Sequence, residues 1–149
     1  YPAPETAMDE TLFFFMTASP AKNPERCATP FYMATVAATL EYRTVMALQM
    51  EAVNLLKPGV ADELAAVEGG RPILDFIRDA AEAGAELYVC SGSLAAQGIS
   101  EEELLPECTG VVGGTWMIEE AQEADLAPDL GSTGSHRWRP PPTAMAAVR

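Results

Sequence analysis

The chain has 149 residues, of which 48% are hydrophobic, and one domain around a single core is the usual outcome at this length. Its formal net charge of -13 comes from 22 acidic and 9 basic residues scattered along the chain, which disfavours binding to phosphate backbones or anionic lipid surfaces. We therefore expect neither a nucleic-acid partner nor a membrane partner.

The N-terminal region contains no recognisable targeting segment. Residues 1–10 are polar, carry two prolines and show no periodicity, so we interpret them as a loose arm. The apolar run at residues 12–16 is far shorter than the roughly 20 residues of a membrane-spanning helix. Acidic residues precede this run where a signal peptide would carry positive charge, so we expect no secretory signal and a cytoplasmic location.

The first half of the chain alternates strand and helix. Residues 12–17, LFFFMT, form a short continuous apolar run that is typical of a strand buried on both faces of a parallel sheet. The segment NPE at residues 23–25 supplies helix-start residues, and it predicts a helix that runs to about Leu40, with Pro30 early enough to kink or shorten its first turn. Residues 44–50, TVMALQM, predict a second buried strand. Residues 51–64 contain KPG and predict a loop with short helical pieces.

The same alternation continues in the second half. Pro72 opens a predicted helix whose apolar residues repeat at helical spacing until Gly84. Residues 86–90, ELYVC, predict a third strand, followed by a short helix that Gly98 ends. Ser100 begins a capping-box pattern, SEEE, that opens one more helical turn. A short strand at residues 111–112 and a helix at residues 115–124 complete the pattern.

This order of elements predicts the fold class. Strand and helix alternate four times, and each return to a parallel strand needs a right-handed crossover. We therefore expect an α/β fold: a flavodoxin-like, doubly wound parallel sheet of four or five strands with helices on both faces. From residue 128 the composition changes to Gly, Ser, Pro and Arg, so we interpret 128–149 as a disordered tail and 11–127 as the folded domain.

Cys90 is the strongest candidate for a functional residue. It ends a predicted strand just before a helix, where functional groups collect in open parallel sheets. Free backbone N–H groups there favour an anion, Gly92 lets the backbone come close, and the hydroxyls of Ser91 and Ser93 add donors. Such surroundings lower a cysteine pKa and favour the thiolate, which attacks sulfur or carries a persulfide. The alternative is a small apolar residue that merely closes a strand.

The other candidates are weaker. Cys27 is a possible second thiol for Cys90, although chance placement on a helix is the simpler explanation. Cys108 lies in a loop-like stretch and is expected to be an exposed thiol. Ala96 stands where a phosphatase loop has an arginine, which disfavours phosphate-ester hydrolysis. Glu51, at the end of the second strand, is a weak candidate that ordinary loop solvation also explains.

Neither a disulfide framework nor a cofactor site is indicated. The three cysteines are an odd number at wide spacings, which fits a reducing compartment. His136, the only histidine, falls in the predicted tail, so we expect no metal site. The sequence lacks the glycine-rich motifs that bind nucleotide phosphates, so we expect no nucleotide cofactor.

Five segments together carry a family resemblance: LFFFMT, NPERCATPFYMATVAATLEY, MEAVNLLKPGV, ILDFIRDAAEAGAELYVCSGSLAAQGI and GVVGGTWMIEEAQEAD. They resemble the DsrE/DsrF-like family, a group also labelled peroxiredoxin-like, over residues 11–125. The likeness is strongest over residues 84–99, where the family places a cysteine after a strand, and Cys90 occupies that place. In the family a last hydrophobic strand follows, but here residues 127–129 read APD. The sequence therefore leaves open whether the sheet has four strands or five.

The resemblance implies a function. Family members with this cysteine are sulfur carriers or sulfurtransferases of intracellular sulfur metabolism, which accept persulfide sulfur from a small carrier protein, so Cys90 is expected to bear sulfur. Such members are usually trimers or hexamers, which implies a homo-oligomer. The alternatives are a small-ligand binder or a non-catalytic assembly subunit whose apolar residues, such as Met33, Met50 and Trp116, form an interface.

Overall fold

The structure, a computed structural model, describes residues 10–125, 127 and 129–130. Within these residues the strands are β1 (Thr11–Met16), β2 (Arg43–Leu48), β3 (Glu86–Cys90), β4 (Gly110–Val112) and β5 (Asp129–Leu130). The α-helices are α1 (Thr29–Thr39), α2 (Ile73–Glu82), α3 (Ser91–Gln97) and α4 (Gly114–Glu123). Short 3-10 helices lie at Pro24–Arg26, Met50–Leu56 and Glu101–Glu103.

All the described strands form one parallel sheet in the order β4-β3-β2-β1-β5. The central strand, β2, is buried from Thr44 to Leu48. Helices cover both of its faces, and this explains why its sequence is a continuous apolar run rather than an alternating one. The predicted α/β, flavodoxin-like sheet is confirmed.

The helices divide between the two faces of the sheet. On one face α1, α2 and α3 bury Phe31, Ile77 and Leu94 in a cluster that we call the larger core. On the other face, of the described helices only α4 packs against the sheet, and its Met117 is buried with Phe13 in the smaller core. The helices that follow the neighbouring strands β3 and β4 therefore lie on opposite faces. In open parallel sheets this topological switch point is where a crevice forms beyond the strand ends.

The first helix differs from its prediction. The sequence predicted one helix from Asn23 to about Leu40, but the chain forms a 3-10 turn at Pro24–Arg26 and begins α1 only at Thr29. The cause is Pro30, which lacks an N–H and is tolerated in an α-helix only within the first turn. The helix consequently restarts around this proline instead of running through it.

Other local signals are confirmed. Gly98 ends α3 in the left-handed conformation with φ 66°, as a glycine after a helix predicts. Ser100 and Glu103 form the reciprocal bonds of a capping box. The segment predicted as a loop with helical pieces contains the 3-10 helix Met50–Leu56.

The sheet has five strands in the described residues, which answers the question left open by the sequence. β5 pairs in parallel with β1, joining Phe15 to Asp129 and Met16 to Leu130. The chain therefore returns to the sheet beyond residue 128, where the predicted tail begins. Residues 1–9 of the arm predicted for 1–10, and residues 131–149 of the predicted tail, with His136, lie outside the described residues.

We predict that Leu48→Ala lowers the free energy of unfolding by about 2–5 kcal/mol, because it opens a cavity in the larger core. Leu48 is on the central strand and fully buried. Urea denaturation followed by circular dichroism measures the change. Ile118→Ala is the control, since Ile118 on α4 is 65% exposed and its loss should cost no more than about 0.5 kcal/mol. Equal losses in the two variants would contradict the layered core.

Candidate functional site

Cys90 lies at the switch point of the sheet. It is the last residue of β3 and the residue immediately before α3, and it pairs in register with Val112 of β4. Alternation along β3 points Leu87 and Val89 into the larger core and sets Cys90 against the smaller one. The Cys90 side chain is half-buried. The sulfur thus sits at the rim of the sheet, beside apolar side chains on one side and within reach of solvent.

Opposing influences set the pKa of the Cys90 thiol. Burial is the largest single influence and raises the pKa, because it disfavours the charged thiolate. The Ser93 hydroxyl and the backbone N–H groups of Ser93 and Gly92 act as hydrogen-bond donors to the sulfur and lower the pKa. Together the donors outweigh the effect of burial, and the pKa of Cys90 lies below the ordinary cysteine value. The net effect of these groups is to favour the Cys90 thiolate relative to an ordinary cysteine.

The serine and glycine residues after Cys90 contribute differently. Gly92 supplies an N–H, but a Cβ on it would lie 3.9 Å from the Cys90 sulfur, an ordinary contact, so the space does not require glycine. Ser91 is exposed, and among the described groups it is not one that shifts the pKa of Cys90. Of the two hydroxyls proposed as thiolate donors, that of Ser93 lowers the pKa of Cys90 and that of Ser91 does not.

A backbone group that the sequence does not indicate also reaches this site. The N–H of Met50 donates a hydrogen bond of 2.7 Å to the Ser93 hydroxyl oxygen. Met50 is the first residue of the 3-10 helix after β2, so its N–H has no partner within that helix. The pattern of side chains along the sequence cannot predict which backbone N–H will reach Ser93. The order of the strands is the only sequence-derived signal, since it places the ends of β2 and β3 side by side.

Cys27 belongs to the larger core, on the sheet face opposite to that of Cys90. It is fully buried, and its thiol donates to the backbone carbonyl of Asn23 at 3.5 Å. Burial, with a smaller contribution from the Glu25 charge, raises its pKa to about 11. All three cysteines are free thiols in the structure. Cys27 is not brought to Cys90 and has the surroundings of a structural cysteine.

Cys108 is half-buried against the larger core, rather than the exposed thiol expected from its loop-like sequence. Its sulfur donates to the backbone carbonyl of Gly110 at 3.5 Å. Burial raises its pKa, and the charge of Glu101 acts in the same direction. The three cysteines therefore differ in chemistry, and Cys90 is the one whose pKa is lowered.

Glu51 lines a different cleft from the crevice of Cys90. It accepts a hydrogen bond from Ser19, which lowers its pKa, and it forms an ion pair with Lys22 at 3.3 Å. These contacts tie the segment after β1 to the segment after β2. The neighbouring cavity of about 500 Å³ is also lined by Asn54 and Gln97, which hydrogen-bond to each other at 3.1 Å. Glu51 therefore has a structural role in joining two loops.

The described residues contain no cluster of metal-binding side chains. Among them, no three or more His, Cys, Asp or Glu side chains are grouped so as to hold a metal ion. None of the helices in the described ranges is long and apolar enough to cross a bilayer.

The chain matches the family model described as the DsrE/DsrF-like family over residues 11–126. The crystal structure of the YchN protein from E. coli superposes with a TM-score of 0.68 at 14% identity, covering 81% of this chain and 99% of that one. MTH1491, a protein of unknown function from Methanobacterium thermoautotrophicum, gives a TM-score of 0.61 at 18% identity with the same two coverages. At these identities the structural likeness shows the fold alone. No curated protein matches the sequence.

We predict that Cys90 is alkylated by iodoacetamide at lower pH than Cys108 or Cys27, because its pKa is lowered while theirs are raised. Ser93→Ala removes a donor to the thiolate, so it raises the Cys90 pKa and slows alkylation near neutral pH by about tenfold. Peptide mass spectrometry across a pH series assigns the rates to each cysteine.

Ser91→Ala is the matched control for this experiment. It removes a hydroxyl from the same turn but from an exposed residue, so the Cys90 profile should stay unchanged. Equal effects of the two substitutions would show that Ser93 has no special contact with the sulfur.

Proposed function

This chain belongs to the DsrE/DsrF-like family, and from that premise we propose that it acts in sulfur relay, as a sulfur carrier or sulfurtransferase-type protein that holds persulfide sulfur on Cys90. One observation carries the proposal: the Cys90 sulfur is half-buried at the switch point of the sheet, and donors from Ser93 and Gly92 favour its thiolate. These are the properties that a nucleophilic thiol requires.

The chemistry is a sulfur transfer without net oxidation. The Cys90 thiolate attacks the outer sulfur of a donor persulfide, R–S–SH. A new sulfur–sulfur bond forms to Cys90 while the bond within the donor breaks, and the donor leaves as the thiolate R–S⁻. In the second step an acceptor thiolate attacks the outer sulfur, and Cys90 leaves as a thiolate. Donors that stabilise the thiolate assist both steps, since Cys90 is the nucleophile in one and the leaving group in the other.

The other cysteines provide an internal comparison. Cys27 has the features of a structural thiol, with complete burial and a pKa of about 11. Cys90 differs from it in both respects, because it is reachable at the crevice and its pKa is lowered. This contrast favours a chemical role for Cys90 over the alternative that it only closes a strand.

The proposed partner is a small sulfur-carrier protein that delivers the persulfide to the crevice. A reducing, cytoplasmic compartment suits this role, because three free thiols and a persulfide persist only where disulfide formation is suppressed. The pathway is therefore proposed to be intracellular sulfur metabolism.

Incubation with a persulfide donor is expected to add about 32 Da, one sulfur atom, to the protein. The added mass should be absent from Cys90→Ser and present in the control Cys108→Ser, because the pKa of Cys108 is raised and that of Cys90 is lowered. Intact-protein mass spectrometry under non-reducing conditions measures the addition. A wild-type protein that gains no sulfur from several donors, or a Cys90→Ser protein that still gains it, ends the proposal.

We also propose that the chain assembles as a homo-oligomer, a trimer or hexamer, through the outer side of α1. Tyr32 and Met33 are 55% and 47% exposed there, and Val36 and Leu40 extend the same stripe. Between Arg26 and Glu41 the sequence has no charged residue, although the chain as a whole carries -13. An uncharged apolar surface lets copies of an acidic chain meet without bringing like charges together.

The same surface supports the alternative of a non-catalytic assembly subunit. Met33 and Met50 are exposed, as an interface requires. Trp116 is only partly exposed, and its ring packs 4.6 Å from that of Tyr88 beside the smaller core. Sulfur loading of Cys90 distinguishes this alternative from sulfur relay, and assembly is compatible with either.

Met33→Glu is expected to weaken self-association by at least about tenfold, because it buries an unpaired charge in the proposed interface. Size-exclusion chromatography with light scattering gives the mass at a series of concentrations. Ile118→Glu, at an exposed apolar position on α4, is the control and should leave the mass unchanged. A monomeric wild type, or an unchanged mass for Met33→Glu, would rule out α1 as the interface.

A further inference from the structure

We propose that Met50 is a positioning residue for Cys90, and that it acts through its backbone N–H on Ser93 rather than through its side chain. The inference rests on the proposed role of the Cys90 thiolate and adds to it a residue from the 3-10 helix that follows β2. It starts from two observations: the hydrogen bond of 2.7 Å from the Met50 N–H to the Ser93 oxygen, and the backbone conformation of Met50.

The backbone of Met50 has a positive φ, which is unfavourable for residues other than glycine. Its φ is 54°, in the left-handed region where the Cβ of an L-residue crowds the backbone. Among the described residues, Glu41 is the one other non-glycine residue with positive φ. Such conformations persist only where the surrounding structure fixes them, and they concentrate at functional sites.

The contacts of the preceding residue, Gln49, explain how the backbone conformation of Met50 is held. The preceding residue, Gln49, donates its N–H to the carbonyl of Met16 at the end of β1, at 2.9 Å. Its side-chain amide reaches the sulfur of Met117 on α4 at 3.2 Å. Gln49 is extended, and the 3-10 helix begins directly after it, so the chain must turn within Met50. The extended Gln49 holds the peptide plane that carries the Met50 N–H, and this N–H reaches Ser93 on α3.

The Met50 N–H restricts the hydroxyl of Ser93. A serine hydroxyl has one proton to donate and two lone pairs to accept with. The short bond from Met50 occupies one lone pair, so the hydroxyl proton must point away from the Met50 N–H. Of the groups around Cys90, three residues before Ser93, this hydroxyl is the first that lowers the thiol pKa, so we infer that its proton is directed to the Cys90 sulfur. Without the bond from Met50, the hydroxyl is free to rotate towards a backbone carbonyl of the preceding turn.

The side chain of Met50 takes no part in this arrangement. It is 63% exposed, whereas the N–H is the group in contact with Ser93. A residue that keeps the N–H and adopts positive φ easily should therefore replace methionine without effect on the thiol. Glycine has both properties, whereas a β-branched residue such as valine keeps the N–H but disfavours positive φ.

The test compares Met50→Gly with Met50→Val by the pH dependence of Cys90 alkylation. Met50→Gly is expected to leave the profile unchanged. Met50→Val shifts the profile to higher pH and slows alkylation near neutral pH by at least about threefold, because the donor to Ser93 is displaced and the thiolate loses support. In a Ser93→Ala background the valine substitution should have no further effect, since Met50 acts through Ser93.

Glu41 supplies the matched control. It has φ 69° and lies before β2, so the six-residue strand separates it from Met50 by roughly 20 Å at about 3.3 Å per residue. Glu41→Val introduces the same kind of backbone strain, and a similar loss of thermal stability is expected. Its Cys90 profile should nevertheless match that of the wild type, which separates positioning from general destabilisation.

A second variant removes the hydrogen bond without strain, in case Met50→Val does not fold. An ester in place of the Gln49–Met50 amide, made with the α-hydroxy analogue of methionine, removes the N–H and keeps the methionine side chain. It should slow Cys90 alkylation as Met50→Val does. An unchanged profile with the ester overturns the proposal. So does a Met50→Gly profile as strongly shifted as that of the ester, because the side chain would then be the active part.

The alkylation readout needs no sulfur donor, so it separates this inference from the proposed function. Persulfide loading of Cys90 together with an unchanged ester profile overturns the role of Met50 and leaves sulfur relay standing. A shifted ester profile in a protein that accepts no sulfur supports the role of Met50 in thiolate positioning and overturns sulfur relay.

Discussion

The site depends on the point at which the chain changes sides of the sheet. α3 and α4 follow neighbouring strands, yet Leu94 of α3 is buried in the larger core and Met117 of α4 in the smaller core. Two helices that diverge in this way leave the ends of β3 and β4 uncovered. Cys90 ends β3 at this opening, so the topology leaves its side chain partly exposed to solvent.

The layered core also determines in which direction the pKa of each cysteine is shifted. Cys27 and Cys90 are identical side chains on opposite faces of one sheet, and the difference between them is their surroundings. The three helices over the larger core remove Cys27 from water entirely, and its thiol has a carbonyl to donate to, which favours the protonated form. Cys90 is left half-covered, with donors rather than acceptors around it. Selectivity between the thiols therefore follows from the fold.

Much of this arrangement is encoded locally, and that part was predictable from the sequence. Each strand of the α/β sheet down to β4 is a short apolar run, and Gly98 and the Ser100 capping box mark helix boundaries through their own backbone preferences. Cys90 could be placed because a strand end next to a helix start is itself a local pattern. The family resemblance agreed with the matched family model.

The remaining features depend on contacts between distant segments. β5 is two residues long and forms by pairing with the edge of β1. Two residues are too few to show the alternating or continuous apolar pattern that predicts a strand. Ser91 and Ser93 are equivalent in sequence, and only the path of α3 decides which hydroxyl meets the sulfur. The contribution of Met50 is a backbone donor at positive φ, and methionine is a residue for which that conformation is not expected.

The lowered pKa of Cys90 is a small difference between opposing effects, and this makes hydrogen-bond geometry decisive. Burial alone raises the pKa of Cys90 and is the largest single influence, so the thiolate is favoured only while the donors from Ser93 and Gly92 act together. A fully exposed thiol would escape the cost of burial, but water would weaken each donor and leave the sulfur unprotected. A fully buried one would resemble Cys27. A half-buried thiolate needs hydrogen-bond donors held in fixed directions. Met50, at positive φ just after the neighbouring strand β2, holds the Ser93 hydroxyl in this way.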